Sequence, residues 1–495
     1  MTELKNSNIS AGGKILACIT CALMTGFMWR VRGDHGWGSM WGMFAVGVML
    51  ILFIYAVFGD RKKMNYEILP ISVFLLGITN GGWGTLNSQM EGYLTSTAAF
   101  TGEEAARIVE INPVHGLYMM LILGFSWMPL FAFTVATLFS KKKYTLKHYI
   151  ILVAVFYAVT YICKFSLSHF ILEAIHPEAV SFCKEGLADR GIELSPMMAY
   201  IKEFGSAAWA KKIPFARNYF TSIDVLSAAI GSLFTSICSL VVFRDRFTAL
   251  ISFLINTVCA LSITVADVFL IIDSDRGILP PVGEVPLWIK NPAWSLWEFF
   301  TGFLLGLGIM LILVCIPKKY TAEEGFTHPV LIKNRKLHYL YTAFANVTFM
   351  LCATLSRPLG MRIGTHLFEN GLCDDEDTMG TIIAVALIVI GAVISLIITK
   401  YLLKEERLPF NSSPAKFTQK TAVIYFLLTA AVYFFTDDAL PFEGIKSAAD
   451  FTEQWNNGWL TVLLLSLCAF ILFIIFYSLT IKNVKKHTKI DVKEF

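Results

Sequence analysis

Apolar residues run along this chain in long stretches separated by short charged ones. Stretches of spanning length lie at about 14–32, 39–58, 66–82, 114–139, 148–172, 219–243, 247–273, 295–316, 338–356, 380–403, 420–436 and 459–480. An α-helix rises about 1.5 Å per residue, so roughly 20 apolar residues cross the hydrocarbon of a bilayer. The pattern predicts an all-α polytopic membrane protein with about twelve transmembrane helices. Between the spans, Glu103–Val109 and Met197–Ala210 read as short amphipathic helices on the outer surface.

Composition agrees with lipid as the solvent. Of 495 residues, 56% are hydrophobic and 16% charged, against roughly 25% charged in soluble chains. The net charge of +4 is small and the basic residues are dispersed, which excludes a nucleic-acid partner. The cysteines lie mostly in apolar runs as small packing residues. Cys183 and Cys373 fall in polar segments and are the two candidates for a pair.

Charge also predicts orientation. With the N-terminus in the cytoplasm, the inner segments are Asp60–Lys63, Lys141–Lys147, Arg244–Arg246, Lys318–Lys336, Lys400–Lys420 and the tail from Lys482. They hold most of the 41 Lys and Arg and a minority of the 37 Asp and Glu. By the positive-inside rule both termini are cytoplasmic. The compact loops suggest a bacterial plasma membrane.

Every fourth helix ends alike: Ser140-Lys141-Lys142-Lys143-Tyr144-Thr145, Pro317-Lys318-Lys319-Tyr320-Thr321 and Lys482-Asn483-Val484-Lys485-Lys486. The entrances to those helices also correspond, at Asn112-Pro113, Asn291-Pro292 and Asn456-Asn457. These matches predict three parallel four-helix repeats, 1–144, 145–320 and 321–495, around a pseudo-threefold axis along the membrane normal. A six-plus-six parse, as in major facilitator transporters, suits the length. Gly59-Asp60-Arg61-Lys62-Lys63 faintly resembles that family's cytoplasmic loop motif. The family's long central loop is missing, since only Arg244-Asp245-Arg246 joins helices six and seven.

The candidate substrate-binding residues are basic or aromatic and lie at outer helix ends: Arg30, Arg32, Lys164, Arg357, Arg362, Trp37 and Trp83. Guanidinium groups offer paired donors to carboxylate or phosphate. Charges within spans are costly and mark solute or ion pathways. Asp34, His35, Asp267 and Asp437 are candidates for proton coupling or ion pairing, Asp267 as a partner for a base such as Lys164. All tryptophans but Trp127 lie at outer ends or loops, as an interfacial belt or as the lining of an outward mouth.

There is no Walker loop, H-E-x-x-H, G-x-S-x-G or dinucleotide fingerprint. The nine histidines show no ligand spacing along the chain, so neither cofactor nor metal is expected. Two functions remain. One is a secondary transporter of a small polar or anionic solute, such as a sugar or sugar acid, with the bilayer and that solute as partners. The other is a membrane-embedded enzyme whose outer-face active site acts on a lipid-linked or glycan substrate. A carrier needs buried polar groups in the inner halves of its spans, and by sequence those halves read as largely apolar.

Overall fold

A computed structural model describes residues 9–34, 40–58, 97–102, 105–110, 112–213, 215–270, 292–316, 356–404, 447–449, 471–472 and 474–483. Its helices, in chain order, are α1 (Ala11–Asp34), α2 (Met40–Phe58), α3 (Pro113–Ser126), α4 (Pro129–Phe139), α5 (Leu146–Lys164), α6 (Leu167–Ile175), α7 (Pro177–Asp189), α8 (Pro196–Lys202), α9 (Ala207–Ala210), α10 (Ala216–Val241), α11 (Arg246–Ala266), α12 (Pro292–Cys315), α13 (Ser356–Glu369) and α14 (Glu376–Lys404). Five helical stretches among the described residues are long and apolar enough to cross a membrane, or six if a bent pair counts as one span. This is the make-up of an integral, multi-pass membrane protein. The predicted spans at 66–82 and 420–436, nearly all of 338–356 and much of 459–480 lie outside the described residues.

Three expectations are corrected. Glu103–Val109 was expected to be helical. Instead β1 (Thr97–Gly102) and β2 (Ala105–Glu110) pair antiparallel, from Thr97↔Glu110 to Gly102↔Ala105. The β-branched Ile108 and Val109 favour a strand. The span expected to run to 172 stops at Lys164. There the Ser166 hydroxyl bonds the Ile162 carbonyl and the chain turns into α6. The span at 114–139 is broken, with α3 and α4 meeting at 51°. Pro129 has no N–H to give and its ring clashes with the carbonyl four residues back, so the bend falls there.

Packing divides the chain into two units, and each is described by itself. The first comprises residues 1–77, 137–145 and 280–495, the second 78–136 and 146–279. In the first unit α1 runs along α12 and also packs on α2, while α13 packs on α14. A side chain added at Gly302 would meet the Thr25 carbonyl and Trp29, so only a bare backbone allows the α1–α12 approach. Trp29 is fully buried in that seam, which removes it from any interfacial belt. A helical segment over 474–483 joins α1 through a 2.9 Å hydrogen bond between the Thr20 and Thr480 hydroxyls.

In the second unit α10 packs on α5, α3 and α11, and α11 on α3. The segment between α5 and α10 folds into four short helices, α6 to α9, all seated on α10. The surface helix expected at Met197–Ala210 appears as two pieces, α8 and α9. They are separated by a turn in which Gly205 adopts φ +69° and its amide bonds the Tyr200 carbonyl.

Candidate functional site

The second unit collects its ionisable residues where α5 ends and α10 begins. α5 delivers Lys164 at its last position, and α10 delivers Asp224 about two turns inside its N-terminal end. Their ammonium and carboxylate lie 2.8 Å apart, with side chains 15% and 20% exposed. Tyr200, fully buried on α8, donates its hydroxyl to the same carboxylate oxygen of Asp224. Burial and the neighbouring Asp224 charge push the Tyr200 phenol far above its ordinary range, so it acts here as a donor only.

A histidine on α6 braces the pair from the side. His169 Nε2 lies 2.8 Å from the Lys164 carbonyl, an acceptor, so Nε2 carries the proton. Nδ1 then accepts from the Tyr219 hydroxyl at 2.7 Å. Burial lowers the His169 pKa, opposed by its bond to the Lys164 carbonyl, and the ring is neutral in this arrangement. Beside it, Ser168 and Ser227 share a 2.7 Å hydrogen bond.

Aromatic rings wall this site. Tyr200 stands edge-on to Phe220 at 4.8 Å and to His169 at 5.1 Å. Trp209 stacks on Phe220 at 5.7 Å, and Phe165 packs on Phe204 at 5.0 Å. Flat apolar faces around a charged pair suit a solute with both a polar rim and an apolar face.

Buried hydroxyls continue from the site along α10. Ser222, Ser227, Ser232, Thr235, Ser236 and Ser239 are all buried. Most return a hydrogen bond to a carbonyl of their own helix, as Ser232 does to Ala228 and Ser239 to Thr235. Across from them Ser236 meets Ser252 of α11 at 3.5 Å. One turn on, Asn256 is fully buried with neither amide atom hydrogen-bonded among the described residues. The half of α10 remote from the charged pair is therefore not apolar, contrary to the sequence expectation.

A second cluster forms between helix starts. His115 lies in the first turn of α3, whose N-cap Asn112 accepts from the Val114 amide. His176 ends α6 and caps α7, and Glu178 lies in the first turn of α7. His115 Nδ1 and Glu178 Oε2 are 2.8 Å apart, and the rings of His115 and His176 lie 4.6 Å between centroids. Burial, then the neighbouring His115, pushes the His176 pKa down to about 3. Spacing along the chain could not show this cluster, because His115 and His176 are distant in sequence and meet only where the chain folds back.

Of the residues singled out by sequence, Lys164 lies at the heart of the charged site. Asp267 closes α11 as its C-cap and is fully buried; the carboxylate that meets Lys164 at 2.8 Å is Asp224. Arg30 is half-buried near the end of α1, and Arg362 is exposed on α13. Arg32 and Asp34 fall in the last turns of α1 and Arg357 in the first turn of α13. His35, Trp37, Trp83 and Asp437 lie outside the described residues. Cys183 and Cys373 are both free. Cys183 is fully buried in α7, where burial raises its pKa to about 12.

Asp224, Tyr200, His169, Tyr219, His115, His176 and Glu178 were missed. Asp224 had a signal, being the one acid in the apolar run Ala216–Val241. The others are held by tertiary packing of short helices, for which no sequence spacing stands. No protein family, curated protein or solved structure matches the chain.

Proposed function

We propose that the protein is a secondary membrane transporter of a small polar or anionic solute, with a sugar or sugar acid as the class its aromatic wall suits. The observation that carries this reading is the Lys164–Asp224 pair, set between two candidate spans. Charges within spans cost up to about 2.5–3.5 kcal/mol at a helix centre and less towards the ends, where this pair lies, and they mark the paths of solutes or ions. An anionic solute competes with Asp224 for Lys164, and a proton taken by Asp224 neutralises the carboxylate that has lost its partner. Solute release returns the proton and the pair. The buried hydroxyls of α10 and the Asn256 amide supply polar groups beyond the pair, as a carrier requires.

The remaining architecture belongs to the same proposal: twelve spans in three four-helix repeats at 1–144, 145–320 and 321–495, with both termini in the cytoplasm of a bacterial plasma membrane. The second reading is an enzyme acting at the outer face on a lipid-linked or glycan substrate. It is favoured by the short helices α6 to α9, which place Tyr200 and Trp209 beside the charged pair.

The test is uptake into proteoliposomes from a panel of sugars, sugar acids and organic anions, with and without a proton gradient. Lys164→Gln is expected to lower uptake by at least about tenfold. A charge-assisted hydrogen bond contributes about 1.5–3 kcal/mol, and about 1.4 kcal/mol is one factor of ten. Asp224→Asn is expected to abolish the effect of the gradient. Because a lone buried charge destabilises by about 3–5 kcal/mol, the double variant Lys164→Met with Asp224→Leu is included to restore folding. A folded double variant that still transports sinks the proposal. Binding without uptake of any solute by the wild type favours the enzyme.

A further inference from the structure

We infer that His115, His176 and Glu178 form a divalent transition-metal site, with zinc as its ligand, that ties the start of α3 to the α6–α7 junction. The three residues each offer one ligand atom, and these atoms all lie within 4.8 Å of one another. Two imidazoles and one carboxylate form a donor set that zinc takes with bonds of about 2.0–2.2 Å. Such bonds place neighbouring donors of a tetrahedron roughly 3.4 Å apart. The 2.8 Å separation of His115 and Glu178 lies below that value and the 4.8 Å limit on all three lies above it, so the donors stand within reach of one ion.

The backbone positions the ligands before any metal arrives. Pro177 fixes the first residue of α7, which carries Glu178 into the first turn. His176, fully buried, is at once the last cap of α6 and the first of α7. The residue before it is pinned, because Tyr118 of α3 donates its hydroxyl to the Ile175 carbonyl. Groups that hold the ligands in this way are the usual support of a protein metal site. The side chains of His115 and Glu178 are 17% and 37% exposed, which leaves the site open on one side to solvent and to a further ligand.

The proposal is independent of transport, and its readout is binding. Tag-free, full-length protein in detergent is stripped with a chelator and titrated with Zn²⁺, followed by calorimetry and elemental analysis. Co²⁺ substitution then reports the coordination through its visible ligand-field bands. The expected result is one zinc per chain, weakened about tenfold or more by Glu178→Gln and by His115→Gln, with the Co²⁺ bands altered in both. These two variants replace partly exposed ligands, and their metal-free melting is compared with wild type to show that they fold. His176→Gln is expected to abolish binding and is read only if it melts as the others do. Folded wild type that takes up no zinc overturns the site and leaves a His115–Glu178 ion pair in its place. Zinc bound equally well by both folded variants overturns it too, because the metal is then elsewhere.

Discussion

His169 is 4% exposed, and both of its ring nitrogens are committed to the Lys164 carbonyl and the Tyr219 hydroxyl. A second proton on Nδ1 breaks the bond that Tyr219 donates and places a charge in a buried position. The groups in contact with the ring are Tyr219 from α10, Tyr200 from α8 and the Lys164 carbonyl at the end of α5. The sign follows from its lowered pKa. Above about pH 6.5, the unfolded value, both states are neutral and its contribution to stability is complete. As pH falls below that value the unfolded chain takes the proton first, and stability declines by up to about 1.4 kcal/mol per pH unit until the folded pKa is reached. Melting in detergent between pH 7.5 and 5 is therefore expected to fall more steeply for wild type than for His169→Gln. Equal slopes would show that the ring titrates in the folded protein as it does in the unfolded chain. Lys164 was legible at this scale because a lysine at the end of an apolar run stands out. His169 was not, because it lies on a nine-residue helix whose ring partners Tyr200 and Tyr219 come from distant stretches of the chain.

At the scale of elements, long apolar helices were legible and short ones were not. Period and length identify α1, α10, α11 and α12, since each carries enough apolar residues to span. The helices α6 to α9 are too short for a period to show. They exist because α10 offers a surface to pack on, and tertiary packing overrides weak local preference. The β-hairpin was misread for the same reason. How α5 meets α10 was also hidden, because it turns on one glycine. A side chain at Gly231 would meet the Thr160 hydroxyl and the Phe156 carbonyl of α5. Backbones approach this closely in membrane bundles only at small residues. Gly231→Val is expected to lower stability by about 1–3 kcal/mol through overpacking. Leu233→Val, on a side chain 40% exposed, should change it by well under that. Thermal melting in detergent compares the two. Equal effects would mean that the α5–α10 seam is slack enough to absorb a side chain.

For the whole molecule the decisive question is on which side each connection lies. α5 links the basic segment at Lys141–Lys147 to the helices α6 to α9, and its candidate span covers Lys147–Lys164. If α5 crosses the bilayer once, Lys141 and Lys184 lie on opposite sides. α10 and α11 are joined by the four-residue turn Val242-Phe243-Arg244-Asp245. If α10 also crosses, Arg244 shares the side of Lys141 and Lys211 that of Lys184. Charge then gives the expected hand, because the short segments holding Lys141, Lys142, Lys143, Arg244 and Arg246 are basic, the pattern of cytoplasmic segments. Each of Lys141, Lys184, Lys211 and Arg244 is exposed, so a cysteine there can react with a maleimide that does not cross membranes. The background carries Cys315→Ser and Cys373→Ser, which removes two thiols that are not buried. Lys184→Cys and Lys211→Cys are expected to label on intact cells, and Lys141→Cys and Arg244→Cys only after the membrane is opened. Labelling of all four from one side would mean that α5 and α10 do not cross, and would remove the membrane setting on which the cost of the Lys164–Asp224 pair depends. The reverse pattern would keep both crossings and place α6 to α9 in the cytoplasm, so that the charged site faces the cell interior.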